Sequence, residues 1–217
     1  IRALVEQGQV ARAARLLASS DAVAEVVLRD DRAPRAEEVA SSLGAKAILE
    51  AGPYASPPEA DVVVLATPAG QQVALARTLV ARGVPVVTTT DSVDDVRALL
   101  DLGPEADARG VTVAVGATFS PGLTCVLARF AADQLDTVDE IHVSRLGTGG
   151  PACARQHHDS LRGVAIDWRD GAAQRPPPGT GRGLSWFPDP LGSGRCYPAA
   201  PPDALPLRTD RPAHSTA

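Results

Sequence analysis

The residues best suited to chemistry crowd the stretch RLGTGGPACARQHHDSLRG, Arg145 to Gly163. Cys153, Arg155, His157 and His158 fall within six positions of one another. An arginine there could grip a carboxylate bidentately. A histidine could carry the proton of an acid–base step, and a cysteine with a histidine as base could act as a nucleophile. If the segment is helical, His157 lies one turn from Cys153 on the same face, with His158 about 100° away. A C-x3-H-H cluster could also hold zinc, but four ligands are usual and no fourth stands nearby in the sequence. Ordinary surface and interface polar residues give the same pattern, so these readings stay open. A second candidate, SWFPDPLGSGRCY from Ser185 to Tyr197, sets Arg195 between glycines and a cysteine. It reads equally as a pocket lining or as a turn-rich surface loop.

A different chemistry is suggested by VEQGQVAR, Val5 to Arg12, between the apolar opening IRALV and the amphipathic run ARAARLLASS. A dinucleotide loop of the form G-x-G-x-x-G/A belongs at such a strand-to-helix junction. Its three positions fall on Glu6, Gly8 and Ala11, of which the last two fit. The acidic residue that binds the ribose 2′-hydroxyl should follow about 20 residues on, and Asp30 stands there. A carboxylate favours NAD, whereas Arg32 just beyond it could hold the 2′-phosphate of NADP. Glu6 is the departure, because a carboxylate beside a helix N-terminus competes with a phosphate and repels it. A turn in a fold that has lost its cofactor, or a corrupted stretch of reading frame, would look the same.

These residues need elements to position them, and 217 residues allow one substantial domain and part of another. Aromatics are 3% of the chain, so the core must be built from Ala, Val and Leu. A net charge of -5 argues against a nucleic-acid binder, which needs a concentrated basic face. No apolar run approaches the ~18 residues of a membrane helix. Three scattered cysteines suit a reducing compartment such as the cytoplasm better than a disulfide framework. The chain holds no methionine and opens inside an apolar stretch, which reads as a fragment or a displaced start.

From the start to about residue 135, short apolar runs alternate with amphipathic ones. IRALV, EVVLRD, AKAILE, DVVVLATP, VPVVTTT and VTVAVGA read as strands, several of them apolar enough to be buried on both faces. Helices are expected at VARAARLLAS, at PRAEEVASSLG between Pro34 and Gly44, and at GQQVALARTLVARG. A further helix is expected over SVDDVRALLDLGPEADARG, with Ser92 as cap and Asp95 completing an acidic variant of the capping box. This alternation predicts an α/β fold, a doubly wound parallel (Rossmann-type) sheet. The expected division is a dinucleotide-binding domain over 1–135, the start of a smaller α+β domain over 136–173, and a Pro-rich irregular segment over 174–217. FSPGLTCVLARFAADQL reads as a helix entered through Pro121 and Gly122. Residues 138–146 alternate in period two and predict a strand outside the parallel sheet. Trp186, Phe187 and Tyr197 predict that the Pro-rich segment is at least partly packed.

The run ADVVVLATPAGQQVALARTLVARGVPVVTTTDSVDDVRALLDLGPEADARGVTVAVGATFSPGLTCVLARF resembles the nucleotide-binding domain of saccharopine dehydrogenase-like oxidoreductases. The resemblance covers roughly residues 1–150. It implies that Ala66, Thr67 and Pro68 after the fourth strand, and the polar run Thr88 to Asp91 with Thr90 after the fifth, lie over the cofactor. It implies that Gly116, Pro121 and Gly122 lead toward a substrate domain whose early polar groups, Cys153, Arg155 and His157, touch substrate. The implied activity is hydride transfer to or from a carbonyl, imine or amino-acid-like small-molecule substrate, with NADP or NAD as cofactor. The weight falls on NADP, which is common in that family, and a homodimer is a possible assembly. The His157–His158 pair is also similar to dihydrodipicolinate reductases, whose following lysine and Pro-Ser-Gly-Thr run are missing here. The competing reading is a non-catalytic Rossmann scaffold that binds or dimerises.

Overall fold

The computed structural model describes residues 2–6, 11–30, 33–50, 59–147, 151–169, 172–177 and 180–207. They fall into two compact units, Ile1–Thr118 and Phe119–Ala217.

In the first unit, strands and helices alternate as the apolar runs demand. In chain order they are β1 (Arg2–Glu6), α1 (Ala11–Ser19), β2 (Glu25–Arg29), α2 (Ala33–Ser41), β3 (Ala47–Leu49), β4 (Val62–Leu65), α3 (Gln72–Ala81), β5 (Val86–Thr88), α4 (Val93–Leu100), α5 (Gly103–Arg109) and β6 (Val113–Ala114). The strands form one sheet in the order β3-β2-β1-β4-β5-β6. Every pairing in it is parallel, as predicted. Parallel neighbours need crossovers, and the crossovers place helices on both faces.

The two faces can be read from the core. Val26 and Leu28 of β2 turn toward Ala14 and Leu17 of α1 and Val39 of α2. Val27 of β2, with Val63 and Leu65 of β4, turns the other way toward Leu75, Ala76 and Leu79 of α3 and Leu99 of α4. A third cluster joins Val80 of α3 to Ala106 of α5 and to Val111. The sheet is thus doubly wound. Small and branched residues fill it, as the scarcity of aromatics requires.

The single helix expected after Ser92 is two. Ser92 caps α4, its hydroxyl accepting from Asp95 N at 3.4 Å. The helix then stops, because Gly103 lowers helix propensity and Pro104 can occupy only the first turn of a new one. Gly110, with φ of 65°, ends α5 in the left-handed conformation that glycine adopts without strain.

The second unit contains α6 (Leu123–Ala132), α7 (Pro151–Arg162), the antiparallel pair β7 (Asp167–Arg169) and β8 (Ala172–Gln174), the hairpin β9 (Gly183–Phe187) with β10 (Gly192–Cys196), and α8 (Ala204–Leu207). The strand expected at 138–146 does not form. That segment has no regular structure, and Val138, Ile141, Val143 and Leu146 along it are exposed. Alternation marks a segment able to lie half-buried on a sheet, but it does not supply a sheet to lie on. The Pro-rich stretch is more regular than its composition suggests. Its described prolines fall outside the strands, with Pro188 and Pro190 in the β9–β10 turn, so the hairpin loses no ladder donor. Phe187 packs over Gly194, where an added Cβ would stand 3.2 Å from the ring. Trp186 and Tyr197 are exposed rather than packed.

Candidate functional site

The strand order reverses between β1 and β4, and in open parallel sheets ligands bind beyond the carboxyl ends of the strands at that switch point. The loops leaving β1, β2, β4, β5 and β6 in the first unit therefore define the candidate site.

The loop after β1 carries Gly8, which lies outside the described residues, as does Arg32 beyond β2. Ala11 is the first residue of α1, and Asp30 is half-buried immediately after β2. Glu6 is still paired strand, in register with Arg29 of β2 and Leu65 of β4. Backbone at that position is extended, so the freedom of a first glycine is not called for there. Beside Asp30, Arg29 is buried at the end of β2 and meets Glu50 at 3.4 Å. Sequence reading passed over this pair. The available signal was a cation ending an otherwise apolar strand, with an acid ending the next.

The loops after β4 and β5 are braced against each other. Thr89 donates through both its N–H, at 3.1 Å, and its hydroxyl, at 3.0 Å, to Leu65 O. Gln72 opens α3 with only 2% of its surface exposed. Its Nε2 donates to Thr67 O at 2.7 Å, and its Oε1 accepts from Thr89 N at 3.1 Å. Asp95 makes a second tie, its Oδ2 accepting from Gly70 N at 2.8 Å and from Thr90 Oγ1 at 3.1 Å. A capping box would send the Asp95 carboxylate back to Ser92 N. Here Thr90 Oγ1 accepts from Ser92 N instead, at 3.2 Å, and frees the carboxylate to reach the β4 loop. Thr88 completes the row, its hydroxyl accepting from Gly116 N at 3.2 Å beyond β6. The polar run after β5 is therefore largely engaged in joining three loops.

Among the residues assigned from sequence, Ala66 packs on the α1 side of the core, Pro68 is exposed, and Thr90 is buried. Thr67 is 3% exposed, and its Oγ1 is buried with no hydrogen-bond partner among the described residues. A hydroxyl orphaned this way costs free energy and marks a place where a polar partner is wanted. This fits a polar ligand over the β4 loop.

The other constellation lies in the second unit. Residues 151–162 are helical, so Cys153 and His157 share a face of α7 by spacing. Arg155 and His158 are exposed and His157 is half-buried. Among the described residues no group of three His, Cys, Asp or Glu could hold a metal ion. No helix there is long and apolar enough to cross a membrane. Cys125 and Cys196 are free thiols.

Sequence reasoning also missed a buried cluster at the start of α6. Asp203, 3% exposed, accepts from Ser120 Oγ at 2.5 Å and from Thr124 Oγ1, with Cys125 Sγ 3.8 Å away. Burial first, then the charge of Asp203, pushes the Cys125 thiol pKa up, against a lowering hydrogen bond from the backbone of Gly122.

Comparison with models of known protein families and with curated protein sequences gives no match. Comparison with solved structures does. Saccharopine dehydrogenase (L-Glu forming) from Saccharomyces cerevisiae superposes with a TM-score of 0.62 at 20% identity, over 91% of this chain and 49% of that one. GenD2 from gentamicin A biosynthesis, solved with NAD, gives a TM-score of 0.52 at 20% identity, over 91% of this chain and 65% of that one. The chain thus spans about half the length of the yeast enzyme. The strand order, the parallel pairing and these superpositions agree on one conclusion: the chain has a saccharopine dehydrogenase-like, Rossmann-type fold.

Proposed function

We propose that the chain is an NAD(P)-dependent oxidoreductase that holds a dinucleotide across the carboxyl edge of its parallel sheet. The observation that carries this is the switch point between β1 and β4, with the orphaned Thr67 hydroxyl in the loop beside it. Gly8, Ala11, Asp30 and Arg32 are assigned to the pyrophosphate and adenosine ribose. Ala66, Thr67, Pro68 and Thr90 are assigned to the far side of the crevice. A bound nicotinamide supplies the hydride chemistry on a carbonyl, imine or amino-acid-like substrate. Arg155 grips a substrate carboxylate and His157 moves the accompanying proton, with Cys153 one turn away on α7. A saccharopine dehydrogenase and an NAD-bound GenD2 among the structural neighbours support the cofactor class. The test is titration with NADH and with NADPH, following the fluorescence of the bound nicotinamide. Saturable binding of either is expected. Binding of neither at millimolar concentration leaves a scaffold that has lost its cofactor.

A further inference from the structure

We infer that Gln72 is a positioning residue, whose single side-chain amide sets the spacing of the two loops that face the cofactor. The inference rests on the proposed dinucleotide site, and it concerns a residue not assigned to ligand contact.

Gln72 lies at the first turn of α3, where a helix usually presents a polar side chain to water. Here the side chain is withdrawn almost completely from solvent and spent on two backbone groups of different loops. One is the carbonyl of Thr67, the residue whose own hydroxyl is orphaned beside the switch point. The other is the N–H of Thr89, one residue before Thr90. A carboxamide offers a donor and an acceptor at once on a rigid planar head without titrating, and its orientation is fixed because one partner can only accept and the other only donate. A length or polarity change at Gln72 therefore moves Thr67 relative to Thr89. Asp95 ties Gly70 to Thr90 independently, so the loops stay tethered when the amide is lost and folded variants are accessible.

The chemistry makes a reversible test available. In Gln72→Glu at neutral pH, the carboxylate can accept from Thr89 N but faces the Thr67 carbonyl with no proton. Protonated, it is nearly isosteric with the native amide and restores both bonds. Cofactor dissociation constants are measured for the unaltered chain, Gln72→Met, Gln72→Glu and the core control Val80→Ala. Val80 is fully buried in the cluster with Ala106 and Val111, away from these loops. Expected is an affinity about five- to tenfold weaker in Gln72→Met and in Gln72→Glu at neutral pH, the loss of about one net hydrogen bond. Gln72→Glu should recover on acidification to about pH 5.5, since burial raises a carboxyl above its usual ~4.3. Val80→Ala should match the unaltered chain. Amide exchange supplies a readout free of cofactor: exchange over 66–70 and 88–91 should rise together in Gln72→Met and not in Val80→Ala. Equal affinities in all four proteins, or unchanged exchange in Gln72→Met, overturn the inference. If the unaltered chain binds neither cofactor, the proposed function fails and the positioning role fails with it, while exchange still reports whether the brace exists.

Discussion

Asp203 offers the clearest quantitative test of how the second unit is held together. Its carboxylate is buried and takes hydroxyl protons from Ser120 and Thr124, 83 and 79 positions earlier. Asp203→Ala removes both acceptors. Thr124 can fall back on Phe119 O, to which its hydroxyl already lies at 3.1 Å. Ser120, 4% exposed, has no such alternative among its described bonds and is left unsatisfied. An orphaned buried hydroxyl costs about 1–3 kcal/mol, and a hydrogen bond to a charged group contributes about 1.5–3 kcal/mol. Relief from burying the carboxylate offsets part of this. The net loss should be about 2–3 kcal/mol. For a unit of roughly 100 residues that lowers Tm by about 10 °C or somewhat more. Both tryptophans, Trp168 and Trp186, lie in this unit, so tryptophan fluorescence during heating reports it alone. Asp203→Asn keeps one acceptor oxygen and should lose only about half as much. The Cys125 thiol should also react faster with an alkylating reagent in Asp203→Ala, since a raising charge is gone and its cover is loosened. An unchanged transition together with an unchanged alkylation rate would refute this account.

Other outcomes follow from the same geometry. Since Glu6 sits in paired strand, Glu6→Gln should raise cofactor affinity as much as Glu6→Gly, by about tenfold for ~1.4 kcal/mol of relieved repulsion; a gain confined to glycine would place a left-handed turn at position 6 after all. Leu79→Ala, at a fully buried position between α3 and the sheet, should cost about 2–5 kcal/mol in urea unfolding. Glu50→Ala strips a partner from buried Arg29 and should destabilise the first unit by about 1–3 kcal/mol, discounted because Glu50 is partly solvated; an unaltered urea midpoint would show that the ion pair contributes nothing. The folded Cys125 thiol keeps its proton beyond the ordinary thiol value of 9.0, whereas the unfolded chain releases it there. Stability of the second unit should therefore fall as pH rises above about 9, measured by urea midpoints across that range.

The sheet was readable because its signal is local. DVVVLATP and VPVVTTT carry uninterrupted apolar runs, Val62 to Ala66 and Val84 to Val87, and a strand covered on both faces is what needs them. The break between α4 and α5 was equally local, written in Gly103 and Pro104, but a continuing amphipathic pattern masked it. The segment at 138–146 shows the limit of periodicity, which reports what a segment could cover and not whether anything is there to cover. The bracing residues were hidden for another reason. Gln72, Asp95, Arg29 and Asp203 are polar, and polar residues read as surface unless their partners are known. The farther partners lie 17 residues away for Gln72, 25 for Asp95, 21 for Arg29 and about 80 for Asp203. Only the fold brings them together.

The place of β1 in the sheet has a consequence for how the chain is made. It is synthesised before the other strands, yet it occupies an inner position, with β2 on one side and β4 on the other. Its edge toward β4 stays open until Val62–Leu65 leave the ribosome, about thirty residues after β2 is complete. At ~5–20 residues per second that interval lasts about 2–7 s. Through it, a nascent chain displays a row of unpaired backbone donors and acceptors on an apolar ribbon, the kind of edge that recruits other chains. Every pairing in this sheet is non-local, so collapse cannot close the gap early. Yield of folded protein in a cell should therefore depend on how quickly ribosomes cross residues 30–62 and on whether a chaperone covers the edge meanwhile.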